Sequence, residues 1–220
     1  VSETIRTRPL WRVGYHAAPL EFTPLDIYAF NHRFDDTAEL HRFRTMYFAD
    51  FQETCLREVL ADFRPNLAAI QRHIARYGPG AVDDIPTAPV TAKWRRENVL
   101  VSATLALHGG LVDLFDPATR QALEGRHRAL LVAHDMEHLD LHEITAKRRI
   151  VTQTIAGDLF EQGAAGVRFP SRLDGGTCIA LFEHRGMPRQ AGPVMALTDP
   201  APGALTTVAS EWNLQMERAQ

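Results

Sequence analysis

A carboxylate stands where a helix is expected to bury hydrocarbon. Residues Thr45-Met46-Tyr47-Phe48-Ala49-Asp50 read as a short strand that turns directly into a helix carrying Glu58. Asp50 and Glu53 have the spacing of an N-cap and its reciprocal partner, which puts the helix start at that point. Phe51, Cys55, Val59 and Leu60 recur at helical intervals and are expected to face the core. Glu58 follows Phe51 by seven residues and Cys55 by three, so the same periodicity sets it on that face. Glu53 and Arg57 form an i,i+4 pair directed away from it. Desolvating a charge is costly, so a core-facing glutamate needs a partner or a task. Two readings stay open at this position: one half of a structural ion pair with an arginine, or a catalytic carboxylate at the rim of a pocket.

The elements around this unit alternate. Strands are expected over 11–15, 44–49, 99–105, 111–114, 167–169 and 177–183. Helices are expected from Asp50 to near Pro65, over 67–77 before Gly78-Pro79-Gly80, and over 152–161 with Gly163 as the stop. Residues 79–90 hold three prolines and mark a loop, 188–202 is turn-rich, and 211–218 is expected to be a terminal helix. With 220 residues, 45% of them hydrophobic, the chain can bury a full core, and one mixed α/β (α+β) domain over 1–220 is the expectation. A net charge of −3 supplies no global basic field, so direct nucleic-acid binding is not expected. Cys55 and Cys178 are too few for a disulfide framework, form no metal pair and suit a reducing interior. The start of the sequence is polar and basic, with Arg6 and Arg8 and no apolar run behind them, and no stretch approaches a membrane span. A cytoplasmic location without membrane contact is the expectation.

A metal site competes with the carboxylate reading. His134-Asp135-Met136-Glu137-His138 matches H-x-x-E-H, a zinc-hydrolase pattern, and His142-Glu143 follows it. On one continuous helix His134, His138 and His142 would share a face, as ligands should. Against this, a short pattern arises easily in a chain with 10 histidines, and the third ligand of such sites normally comes from elsewhere. The bland alternative is a solvated acidic–histidine stretch.

Further segments fall in a telling order around the strand–helix unit. Trp11-Arg12-Val13-Gly14 and Asn31-His32-Arg33-Phe34 precede it. Thr152-Gln153, then Gly166-Val167-Arg168-Phe169-Pro170-Ser171, Gly175-Gly176 and Cys178-Ile179-Ala180-Leu181-Phe182 follow it. Each motif is short, and the ordered set carries the weight. From about 11 to 182 the chain resembles the RES-domain family, with 183–220 as a C-terminal extension of the same domain. The resemblance implies an ADP-ribosyltransferase-like split-sheet core flanked by helices. It also implies a bacterial toxin that consumes NAD as substrate, without a metal, and is paired with an Xre-like antitoxin; self-association is left open.

Carried over residue by residue, the family arginine matches Arg12, a second arginine Arg33, the strand aromatic Tyr47, the glutamate Glu58 and the serine Ser171. Cleavage of the nicotinamide–ribose bond builds oxocarbenium-like charge, which Glu58 would stabilise. Arg12 and Arg33 would hold the pyrophosphate, Tyr47 would stack on the ring, and Ser171 would bond the ribose or carboxamide. Val13 stands where relatives often carry tyrosine, and the Arg33 loop lacks their glycines and Asn-Pro. Arg12 is therefore expected to contribute more than Arg33. Whether water, phosphate or a protein takes the ADP-ribosyl group stays open, as does a catalytically inactive NAD-binding module.

Overall fold

A computed structural model describes residues 4–5, 8–84, 88–146 and 148–220. In chain order it contains β1 (Thr4–Ile5), β2 (Leu10–Tyr15), β3 (Thr45–Ala49), α1 (Gln52–Leu60), α2 (Leu67–Tyr77) and α3 (Ala92–Glu97). There follow β4 (Asn98–Leu107), β5 (Leu111–Asp113), α4 (Pro117–Arg126), α5 (Arg128–Ala133), α6 (Leu141–Thr145) and α7 (Ile150–Glu161). The chain closes with β6 (Gly166–Pro170), β7 (Thr177–Phe182), β8 (Gly186–Gln190), β9 (Met195–Ala196) and α8 (Gly203–Glu211).

β4 is apolar on both faces and almost wholly buried, as a strand covered on both sides must be. It pairs with β1, β2, β8 and β9 in a nine-stranded sheet of order β1-β4-β2-β3-β7-β6-β5. The ladders are antiparallel except for the parallel pair β5–β6. β2 runs beside β4 through six residue pairs and β3 beside β7 through five, yet β2 and β3 meet only at Trp11↔Ala49. The sheet is thus split there, as the mixed, split architecture requires. Arg12 bridges the parting strands, with Nε donating to Pro19 O at 3.0 Å and Nη1 to Tyr47 O at 3.3 Å. Gly14 lets the 16–20 turn fold back onto β2, since a Cβ there would lie 2.4 Å from Pro19 O.

Strand alternation assigns the two faces. Met46 and Phe48 of β3 join Leu10, Leu105, Ile179 and Leu181 in a smaller cluster on one side. Tyr47 and Ala49 face the larger core, where α1, α7 and α8 contribute Cys55, Leu56, Leu60, Ile155, Leu159, Leu205 and Val208.

Several expectations are corrected. α1 starts at Gln52, its N-cap is Phe51, and no side chain caps it. Arg57 turns from Glu53 to Asp174 and Glu211, because two carboxylates from packed neighbours outweigh an exposed i,i+4 contact. The terminal helix is α8, earlier than 211–218; the chain leaves it at Asn213 (φ 50°) and the tail bridges Val90 through Met216 instead. Residues 188–190, the start of the stretch expected as turn, belong to β8, with Pro188 tolerated on a strand paired with β4 alone.

Candidate active site

Burial around α1 is interrupted along a single line. Thr54, Cys55, Leu56 and Leu60 are buried, yet Glu58, which lies angularly between Thr54 and Cys55, is exposed, as is the N-cap Phe51. An exposed line flanked by buried residues on both sides marks a crevice, not a core face. Glu58 was expected on the core-facing stripe, either in an ion pair or at the rim of a pocket; it is exposed. The seven-residue spacing was read correctly, but it aligns Glu58 with an exposed Phe51. The ion-pair reading loses its support too, because among the described residues no arginine or lysine salt-bridges Glu58.

Glu58 meets Ser171 instead. The Ser171 hydroxyl, 3% exposed, donates to Glu58 Oε1 at 2.6 Å. Ser171 follows β6 and opens a tight turn: its N–H donates to Gly176 O at 2.7 Å, and Gly175 N–H donates to Ser171 O at 3.0 Å. Gly175 adopts φ 73°, a conformation that needs glycine. Asp174 fastens this turn to α1 by accepting from Thr54 Oγ1 at 2.8 Å, Arg57 Nη1 at 2.9 Å and Gly176 N at 3.0 Å. Burial works to raise the Asp174 carboxyl, and the donors around it outweigh burial and hold it below the usual carboxylate range.

Tyr47 does not offer an open face. It is half-buried, and its hydroxyl accepts from Phe34 N at 2.9 Å. Burial first, then the charges of Asp35 and Tyr28, push its phenol well above the usual range, so it stays protonated. Its ring lies 5.5 Å from that of His32 and 6.4 Å from that of Phe169. Tyr47 therefore holds the 31–34 loop in place, and the exposed ring beside it belongs to His32.

That loop lacks glycine but is firmly placed. Asp35 and Asp36 are fully buried. Asp35 accepts from Tyr28 Oη at 2.6 Å and His32 N at 2.7 Å, while Asp36 pairs with Arg42 at 2.7 Å. Gln153 Nε2 donates to Phe30 O at 3.1 Å and His32 O at 3.0 Å. Arg33 projects from this frame, with Nη1 donating to Ile144 O at 2.7 Å and Ala146 O at 2.5 Å. Burial lowers its pKa, while Tyr47 and Glu58 favour the charged form. The electrostatic surroundings of Arg12 are different: burial lowers its pKa, and Cys55, Tyr28 and Tyr15 oppose that. Arg33 thus lies within electrostatic reach of Glu58, whereas Arg12 is engaged by main-chain carbonyls in the split of the sheet.

Beneath Glu58, burial pushes the Cys55 thiol up to about 12, and burial together with the Glu58 charge raises Cys178 as well. Both stay neutral thiols near pH 7 and are poor nucleophiles. The histidine motif does not assemble. α5 ends at Ala133, His134 is its C-cap, Asp135 takes φ 55°, and α6 begins only at Leu141. His134, His138 and His142 share no helix face, and His138 Nδ1 instead lies 3.3 Å from Glu124 Oε1. Among the described residues no three His, Cys, Asp or Glu side chains gather as a metal centre would require. None of the helices described is long and apolar enough to cross a membrane.

What the crevice can do follows from its parts. An exposed carboxylate is held by one oxygen to a buried hydroxyl, with a half-buried guanidinium nearby, so it can meet positive charge developing on a bound sugar. Sequence reading missed Asp35, Asp36, Asp174 and Gln153, which position these groups. Gly175-Gly176 carried a turn signal beside Asp174, and Thr152-Gln153 stood in the ordered set of segments; Asp35 and Asp36 carried none. No curated protein sequence matches the chain. A solved structure that it resembles is the M. tuberculosis MbcT–MbcA toxin–antitoxin complex, at 18% identity over 86% of this chain and 84% of that one, with a TM-score of 0.47. The RES domain family model matches residues 9–202, and the chain belongs to that family.

Proposed function

We propose that the chain is a toxin that cleaves the nicotinamide–ribose bond of NAD and is neutralised by a cognate antitoxin. The observation that carries this reading is the Ser171–Glu58 hydrogen bond at the crevice rim, with Arg33 close by. Departure of nicotinamide leaves oxocarbenium-like charge on the ribose, and Glu58 stabilises that charge through the oxygen that Ser171 leaves available. The leaving group is already a cationic pyridinium, so neither a strong general acid nor a Lewis-acid metal is needed. His32, held in place by Tyr47, flanks the nicotinamide side, and Arg33 takes phosphate oxygens through its guanidinium fork. The acceptor is water, phosphate or a protein side chain, according to which nucleophile reaches the open face of the sugar. An enzyme that drains NAD endangers its own cell, which is why an inhibitory partner, an Xre-like antitoxin by family resemblance, belongs to the proposal.

Purified protein incubated with NAD, with products identified by mass spectrometry, is the direct test. Released nicotinamide is expected, in the presence of a chelator as in its absence, and suppressed by the product of the neighbouring reading frame. No nicotinamide release would end the reading.

The two arginines separate in a second measurement. Arg33→Ala is expected to raise the KM for NAD about tenfold or more, the value of a charge-assisted hydrogen bond. Arg12→Ala is expected to lower the melting temperature instead, because it empties the split between β2 and β3. Equal KM values for wild type and Arg33→Ala would remove Arg33 from the site.

A further inference from the structure

Arg57 stands next to Glu58 on α1 and reaches carboxylates from two distant segments. Its Nη1 donates to Asp174 Oδ2 at 2.9 Å, and its Nη2 donates to Glu211 Oε2 at 2.5 Å. Asp174 lies in the turn that carries Ser171, whereas Glu211 ends α8, beyond residues 9–202 of the family match. Arg57 Nε is buried without an acceptor, so the two terminal nitrogens carry the polar contacts of this side chain. Arg44 and Arg95 differ, because each also bonds a main-chain carbonyl. The end of α8 is gripped a second time by Arg64, which lies 4.5 Å over the Trp212 ring. The turn seats on α1 with no slack. A Cβ at Gly176 would lie 2.4 Å from Thr54 Oγ1, and that hydroxyl donates to Asp174 Oδ2 at 2.8 Å. Thr54 and Arg57 are neighbours on one face of α1, so they pin Asp174 at two points. Within the turn, Leu173 N donates to Ser171 Oγ at 3.1 Å, and the single hydroxyl proton goes to Glu58.

A guanidinium presents its two terminal nitrogens in a fixed plane, so it can span two carboxylates that a single ammonium nitrogen would address less well. Without that cation, Asp174 and Glu211 would bring like charges together at one place on α1. Arg57 holds the Glu211 carboxyl below the usual range, while desolvation and the Asp174 charge oppose it. We propose that Arg57 is a positioning residue for the reaction: anchored by Glu211 on α8, it sets the 171–176 turn on α1 and keeps the Ser171 hydroxyl on Glu58. The C-terminal helix thereby takes part in the site. The inference rests on the NAD reading of Glu58 and adds to it the device that holds Ser171 in register.

The test compares Arg57→Met, Glu211→Ala and Arg64→Ala with wild type, in NAD turnover and in melting temperature. Arg57→Met is expected to lower kcat about tenfold to a hundredfold, the scale on which a displacement near 1 Å acts. KM should stay within about threefold, because Glu58 meets charge that forms only in the transition state. Glu211→Ala should show the same split at about three- to tenfold. Its side chain is 45% exposed, so this variant keeps the test alive should Arg57→Met fail to fold. Arg64→Ala loosens α8 without reaching the turn, so it should lower the melting temperature and leave kcat within about twofold. A kcat that follows melting temperature across the three variants would make the clamp structural only and overturn the proposal. Wild-type kcat in folded Arg57→Met or in Glu211→Ala overturns it as well. If the wild type releases no nicotinamide, the Glu58 reading fails, and hydrogen exchange of the 172–176 amides decides the clamp alone. Faster exchange there in Arg57→Met and Glu211→Ala than in Arg64→Ala upholds it; equal exchange in wild type and all three variants overturns it.

Discussion

Glu58→Gln is expected to reduce NAD turnover by about a thousandfold, the scale on which one preorganised electrostatic partner of a transition state acts. The substitution keeps the shape and removes the charge. Glu58 is exposed, so no buried charge is relieved, and the amide oxygen still accepts from Ser171 Oγ, so the 171–176 turn stays docked on α1. The change in stability should therefore lie within about 0.5 kcal/mol, as for surface positions generally. KM should move little, because the lost interaction develops only as positive charge forms on the ribose. Initial rates over a range of NAD concentrations, with a thermal melt of the same preparation, check both halves. A folded variant turning over at near wild-type rate would remove Glu58 from the chemistry.

Why the angle of Glu58 was legible and its surroundings were not is instructive. Helical spacing located it correctly relative to Phe51 and Cys55, but spacing reports an angle about the helix axis and not what lies along that direction. Here the direction leads to a gap beside the 171–176 turn, a fact that depends on Asp174 reaching Thr54 and Arg57 from 120 and 117 residues away. The strands were readable because β3, β6 and β7 are short apolar runs bounded by turn residues, while the ten-residue β4 stood out by its β-branched content. α4 was missed although Asp116 and Pro117 form a regular helix start, with Asp116 capping the N–H groups of Ala118 and Thr119. The histidine stretch, whose metal reading was only the competing one, lacks its context for the opposite reason. Its pattern presumes one unbroken helix, and Asp135 in the left-handed region breaks it. The loop around Arg33 illustrates the limit of composition. Lacking glycine, it was expected to serve a ligand poorly; its placement comes from buried Asp35 and Asp36, which reach Tyr28 and Arg42 outside 31–36.

Arg95→Ala is expected to destabilise the protein by about 3 kcal/mol, the largest stability effect argued from this fold. Arg95 is 1% exposed and sits in the last turn of α3, where it joins three segments. Nε donates to Leu197 O at 2.8 Å, Nη1 donates to Glu217 O, and Nη2 pairs with Asp199. Asp199 in turn accepts from Ala219 N at 2.8 Å, and Val90 N donates to Gln215 O at 2.8 Å, so the arginine closes the C-terminal tail onto the sheet. Truncation leaves the buried Leu197 carbonyl without its donor, at a cost of about 1–3 kcal/mol, frees the partly buried Glu217 carbonyl, and opens a void where the stem packed. Asp199 keeps 40% of its side chain exposed, so its unpaired charge rehydrates and adds little. For a chain of this length the melting temperature should fall by roughly 6–12 °C. Asp199→Asn, which keeps the carbonyl contacts, should cost about 1 kcal/mol or less. Arg95 does not touch the Glu58 crevice, so turnover per folded molecule well below the transition should match wild type; Arg95→Ala melting within about 2 °C of wild type would show that the tail is held by other contacts.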